Sequence, residues 1–254
     1  MATETHPSMN LPWLDSGDPF PAPSQAWDAR EPAPGLLAAG GALDVDTLHR
    51  AYSQGIFPWF SEGQPILWWS TDPRMVLVPG EFRLHRSLRK TIARLLARGQ
   101  LEIRFDSAFD EVIRACAASP REGQSGTWIV SQMVSAYGDF HRAGFAHSVE
   151  TWIDGRLAGA LYCVGIGQAV FGESMFTREP DASKIALAAL VAWCLAHGIG
   201  LIDCQQNTQH LASLGAREIA RDDFVAKVAQ GVHKAGPPWR FEPIYWQRLV
   251  PRNT

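Results

Sequence analysis

The segment Ala169–Gln206, AVFGESMFTREPDASKIALAALVAWCLAHGIGLIDCQQ, constrains the fold more than any other, because it reads as strand, loop, helix, strand. Ala169–Phe176 is a short, aromatic-rich apolar run interrupted by one acid, Glu173, and its length favours a strand over a helix. Thr177–Asp181 carries a proline and charges, as a loop does. Ser183 stands where an N-cap would, ahead of Ile185, Leu187, Ala188, Leu190, Val191 and Leu195, a helix apolar nearly all round and so predicted to be buried. Gly198 suits the position after its end, with His197 in the last turn, and a second strand is predicted from Gly200 through Gln205. A helical crossover makes the two strands parallel and neighbouring. Glu173, Asp203 and Gln205 then converge at one end of a sheet, with Asp203 and Gln205 on one face and Cys204 on the other. These are either polar residues on a solvated strand face or a functional group, since burying an acid without a partner is costly.

With 254 residues, 46% hydrophobic and 19% charged, the chain has the length and composition of a globular protein of one or two domains. No apolar run reaches the ~18 residues that span a membrane. No Lys or Arg precedes Arg30 and no apolar h-region follows the N-terminus, so no secretory signal is expected. Cys116, Cys163, Cys194 and Cys204 are scattered without metal-ligand spacing, which predicts reduced thiols in a cytoplasmic protein and no metal site. A net charge of −3 argues against wholesale nucleic-acid coating but leaves room for a local basic patch.

Residues 1–34 hold seven of the seventeen prolines and form an irregular arm. A small α+β domain follows over 35–74, with Asp46 expected to cap a helix over Thr47–Gln54, and the remaining 75–254 form a larger mixed α/β domain. Ile56-Phe-Pro-Trp-Phe and Leu67-Trp-Trp place three of the ten tryptophans close together, either as aromatic packing or as a platform for stacking a base. Arg83, Arg86, Arg89, Lys90, Arg94 and Arg98 lie in a stretch with no acid between Glu81 and Glu102, while Leu88, Ile92, Leu95 and Leu96 share a helical face. That is either a solvated face or a phosphate-contacting one. Beyond it the pattern predicts a strand at Leu101–Phe105 and helices at Phe109–Ala118 and from Ser131 through His141. Strands follow at Val149–Ile153 and Leu157–Val164, then a Thr208-capped helix, a strand at Ala216–Ala220, and a helix from Asp222 to Val232, with Pro237-Pro238 ending regular structure. His141 and His147 are isolated and read as structural.

Helices, a three-stranded meander and a closing β-α-β unit resemble the acetyltransferase-like (GNAT) fold, an analogy of fold alone. Acyl-CoA is a poor donor for this chain, because the junction Thr177–Lys184 has no glycine with which to cradle a pyrophosphate. A basic helix, tryptophans and acids at a sheet edge suggest instead an acyl group carried on a nucleic acid.

Gly55-Ile-Phe-Pro-Trp-Phe, Leu67-Trp-Trp-Ser with Asp72-Pro-Arg, Gly126-Thr-Trp-Ile, Phe171-Gly-Glu-Ser-Met-Phe, Ser183-Lys and Leu201-Ile-Asp-Cys-Gln, in that order, resemble the leucyl/phenylalanyl-tRNA–protein transferases. The resemblance covers roughly Leu36 to Ala235. It implies transfer of Leu or Phe, and less well Met, from aminoacyl-tRNA to proteins with an N-terminal Arg or Lys, marking them for N-end rule degradation. A small N-terminal domain joined to a GNAT-like one, with no metal or cofactor, is implied as well. Trp59 and Trp128 match the tryptophans that hold the terminal adenosine, and Glu173, Asp203 and Gln205 match the catalytic polar residues. Met175, Leu161, Val170, Leu187, Leu190 and Ile202 would line the side-chain pocket, and Arg83, Arg86, Arg89, Lys90 and Arg94 would meet tRNA phosphates. Nothing in the sequence demands a partner chain, so a monomer is expected. Two other classes stay open: a non-catalytic tRNA-binding protein, and a peptidoglycan-bridge aminoacyltransferase, which usually carries a duplicated domain for which this chain is short.

Overall fold

The computed structural model describes residues 11–119 and 130–250. Its N-terminal part is built on a four-stranded sheet, made by β1 (Trp13–Leu14), β2 (Leu36–Gly40), β3 (Phe57–Pro58) and β4 (Leu67–Trp69) in the order β1-β2-β4-β3. The proline-rich arm therefore contributes a strand of its own, paired parallel with β2. Helix α1 (Val45–Ser53) packs beside this sheet. It begins two residues before the expected Thr47, because Asp44 and not Asp46 is its cap: Asp44 is extended and accepts a hydrogen bond from Thr47 N, while Asp46 lies in the first turn.

The second sheet is mixed and seven-stranded. It comprises β5 (Arg74–Leu77), β6 (Leu101–Phe105), β7 (Ala146–Ile153), β8 (Arg156–Ile166), β9 (Ala169–Thr177), β10 (Ile202–Gln205) and β11 (Arg217–Ile219), in the order β11-β5-β10-β9-β8-β7-β6. Strands β6 to β9 form an antiparallel meander, β9 and β10 are parallel neighbours, and β5 runs antiparallel between β10 and β11. The crossover between β9 and β10 is α5 (Ala182–Ala196), apolar and buried along almost its whole length as its composition predicts. It starts ahead of Ser183: the cap position is Asp181, in a left-handed conformation with φ 67° and without a side-chain cap bond.

Each face of this sheet carries its own core, as alternation along the strands requires. Leu161, Cys163, Val170 and Ile202 face α5 and α2 (Arg86–Ala97). Tyr162, Val164 and Phe171 face the opposite way, toward α1, α3 (Phe109–Ala118), α4 (Ser131–Arg142) and α7 (Arg221–Val232). Between β10 and β11 lies the short α6 (Gln209–Ser213), capped by Thr208 as expected. Helix α7 opens at Arg221 with Asp222 and Asp223 in its first turn, where acids suit the helix dipole, rather than with Asp222 as its cap. Regular structure continues past Pro237-Pro238: Trp239 stacks on His147 and Trp193, and a 3₁₀ turn over Pro243–Arg248 buries Trp246 against α5. His141 and His147 are structural, bound through Nδ1 to Ala146 O and the Asp106 carboxylate, respectively.

Candidate active site

Pairing between β9 and β10 runs only through Val170–Ile202 and Phe171–Asp203. Beyond that point both strands bulge. On β9, Gly172 and Ser174 pair with consecutive residues of β8, leaving Glu173 as the extra residue; on β10, Asp203 and Gln205 pair with consecutive residues of β5, leaving Cys204. Bulges re-aim side chains and part strands. A cavity of about 570 Å³ occupies this gap, where β10 ends and β9 parts from it at residues 172–175.

The cavity has two chemically distinct ends. Leu161, Met175, Ile202 and, from α5, Leu187 and Leu190 make an apolar wall. Of the residues expected there, Val170 is the exception: it is paired with Ile202 and buried in the core behind that wall. Glu173 and Gln205 line the polar end, and Phe57, Pro58 and half-buried Trp59 reach in from the first sheet. Trp59 leans on Trp69, with ring centroids 5.3 Å apart, while Trp68 is fully buried in the first core with its indole N–H on Gly40 O. The tryptophan cluster is thus divided, with one ring facing the cavity and another packed. Trp128 and the motif around it lie outside the described residues.

Glu173, partly buried at the cavity wall, is the centre of a polar group backed by two fully buried tyrosines. Tyr52 of α1 donates to its Oε1 at 2.7 Å, Gln205 Nε2 donates to the same oxygen at 3.2 Å, and the Tyr137 hydroxyl of α4 bonds to that of Tyr52. Burial pushes the Glu173 carboxyl up to about 8; the Tyr52 bond opposes that rise, and the negative charge of Asp203 adds to it. Burial and the nearby Glu173 charge raise both tyrosines well above their usual range, so both stay protonated. Neither tyrosine stood out in sequence as a site residue. Tyr137 shows there only as one position on an amphipathic helix, and Tyr52 as one more apolar residue before Gly55.

Asp203 and Gln205 both find their partners on the α1 and α7 side of the sheet, but only Gln205 lines the cavity. The bulge, with Gln205 left-handed at φ 54°, turns the Gln205 side chain toward Glu173 and the cavity. Asp203 is 1% exposed and turned away, bound by Arg74 of β5 in a two-pronged pair, Nε to Oδ1 at 2.8 Å and Nη2 to Oδ2 at 2.6 Å. Cys204 packs with Ile202 against the other core and also lines the cavity. Burial and the Asp203 charge raise its thiol far above the usual range, which leaves no thiolate to attack an ester.

A smaller cleft of about 150 Å³ adjoins the cavity, for His210 lines both; His85, Ser87, Lys184 and Asp181 also line it. It leads to α2, whose Leu88, Ile92 and Leu95 are buried and whose Arg86, Arg89, Lys90 and Arg94, with Arg83 before it, are exposed. None of these five cations is in an ion pair among the described residues. Those residues also include no group of three or more His, Cys, Asp or Glu placed to hold a metal ion, and no helix long and apolar enough to cross a membrane.

The family model "Leucyl/phenylalanyl-tRNA protein transferase" matches residues 76–229, and the model of that family's N-terminal domain matches 41–72. The chain belongs to this family. A leucyl/phenylalanyl-tRNA–protein transferase of Polaromonas sp. is 64% identical over 240 residues, 94% of each chain, and one of Albidiferax ferrireducens is equally similar over the same share. Another, of Leptothrix cholodnii, is 56% identical over 96% of each chain. The chain is therefore a transferase of mixed α/β fold, with β9, α5 and β10 at its centre.

Proposed function

We propose that the chain transfers Leu or Phe, and less well Met, from aminoacyl-tRNA to the N-terminal Arg or Lys of an acceptor protein, and that the cavity between β9 and β10 is where the ester is held. The observation that carries this is the pairing of an apolar wall with an aromatic ring and a polar end in one cavity of about 570 Å³. An aminoacyl-adenosine has the same three parts. The side chain fits the wall of Leu161, Met175, Leu187, Leu190 and Ile202, the adenine stacks on Trp59, and the reacting ester lies beside Glu173 and Gln205. Such a wall rejects β-branched residues by shape and tolerates unbranched Met. Trp128 would complete the adenosine site.

The reaction is aminolysis of an activated ester. An acceptor α-amine, with a pKa of ~7.7–8.0, has a usable neutral fraction near pH 7, so the chief demands are orientation and a route for one proton. Because Gln205 Nε2 is engaged by Glu173, its Oε1 is left to accept a hydrogen bond from the attacking amine. The amide bond forms as the ester C–O bond breaks, and the amine proton ends on the ribose oxygen or on solvent. Glu173 receives the α-ammonium of the donor residue, whose positive charge favours the ionised carboxylate and offsets the effect of burial. Asp203 acts at one remove, by accepting from Gln205 N at 3.0 Å. The cleft past His210 would carry the phosphates of the 3′ end toward Arg83, Arg86, Arg89, Lys90 and Arg94.

Under this reading the larger sheet is a GNAT-like catalytic domain over 75–254, preceded by the small domain of 35–74 and the arm of 1–34, and the protein works as a cytoplasmic monomer without a cofactor. The deciding experiment is transfer of radiolabelled Leu from charged tRNA to two peptides that differ only in beginning with Arg or Ala. Label on the Arg peptide alone is expected. Bound tRNA with no transfer to either peptide would favour a non-catalytic RNA-binding role.

A further inference from the structure

Gln205 owes its position to its backbone, and that backbone is clamped from two sides. Its N–H is held by Asp203 Oδ1, and its carbonyl accepts from Thr71 Oγ1 at 3.1 Å. A left-handed glutamine is an unfavourable conformation, which persists only where its surroundings impose it. The carboxylate doing so is fixed in turn by Arg74, which is fully buried, bonded to both Asp203 oxygens, and held between the rings of Phe57 and Phe224 at 4.6 and 4.5 Å. Phe57 belongs to the first sheet and lines the cavity; Phe224 belongs to α7. Nη1 of Arg74 is buried with no hydrogen-bond partner among the described residues. A buried ion pair seldom stabilises more than apolar residues of the same volume, and one with a leftover N–H is poorly suited to that purpose.

The geometry points to Arg74 as a positioning residue for the transfer reaction, acting through Asp203 to set the left-handed turn that aims Gln205 into the cavity. The inference rests on the reading of Gln205 as the group that meets the attacking amine. A lysine in place of Arg74 keeps the charge but cannot span both oxygens. The expected result for Arg74→Lys is a kcat at least tenfold lower, with KM for the Arg-initial peptide and Kd for an amide-linked, non-hydrolysable leucyl-adenosine within about twofold of wild type. Arg74→Lys combined with Gln205→Ala should be no slower than Gln205→Ala alone, because the two changes break one device. The paired replacement Arg74→Met with Asp203→Leu, which removes both charges together, should fold and melt close to wild type while losing kcat in the same way. Wild-type kcat in folded Arg74→Lys or in the paired variant, or losses that multiply with that of Gln205→Ala, would overturn the inference. Failure of both to fold would make the pair an element of stability and overturn it equally. Wild-type kcat in Gln205→Ala instead removes the reading on which the inference rests, and so is told apart from a failure of Arg74.

Discussion

A carboxyl group held near 8 sets a pH dependence that can be signed. Glu173 binds its proton more tightly in the folded chain than in the unfolded one, where a value of 4.5 applies. Stability is therefore highest below the unfolded value and falls as pH rises through the folded one, since over that interval the folded state holds more protons. Glu173→Gln keeps the shape and the hydrogen-bonding capacity but cannot ionise. The melting temperature of the wild type, measured relative to this variant, should decline between about pH 5 and 8; parallel curves would show that Glu173 titrates normally. Glu173 and Gln205 were legible in sequence as polar residues inside apolar strands. Their partners were not, because Tyr52, Arg74 and Tyr137 come from separate elements and look locally like an aromatic on a helix face or a charge at the head of a strand. The bulges in β9 and β10 were illegible for a different reason. A bulge adds one residue to a ladder and leaves no mark in the hydrophobic pattern.

At the level of elements, periodicity identified each strand of the larger sheet from β6 to β11 and each long helix, and errors collected at their ends. Asp44 and Asp46 are equally good caps by composition, and only the extended backbone of the first decides between them. Helix α2 shows what such a pattern can carry: one face packs with Leu88, Ile92 and Leu95, and the rest exposes Arg86, Arg89, Lys90 and Arg94, none in an ion pair among the described residues. If those cations meet phosphates, each lost contact removes about 0.7–0.9 from the slope of log affinity against log salt. Replacing Arg86, Arg89 and Lys90 with Ala should thus weaken tRNA binding and flatten the slope by roughly 2 units. An unchanged slope would assign these side chains to ordinary solvation.

For the molecule as a whole, the cavity ties the two sheets together, because its walls are drawn from β3 on one side and from β8, β9, β10 and α5 on the other. A ligand seated there should stabilise both at once. At a hundred times its Kd, the non-hydrolysable leucyl-adenosine adds about 2.7 kcal/mol, which for a chain of this size moves a single melting transition upward by roughly 5–10 °C. Two transitions of which one shifts would mean that only one sheet contributes to binding. The strand order has a further consequence, for how the chain is born. Among the described residues strand β5 pairs with β10 and β11, both encoded far downstream. On the ribosome, at about 5–20 residues per second, Arg74–Leu77 waits on the order of 10 s for a neighbour. Throughout that interval its exposed edge needs shelter, and Arg74 itself remains a hydrated surface charge until the arrival of Asp203 draws it inside.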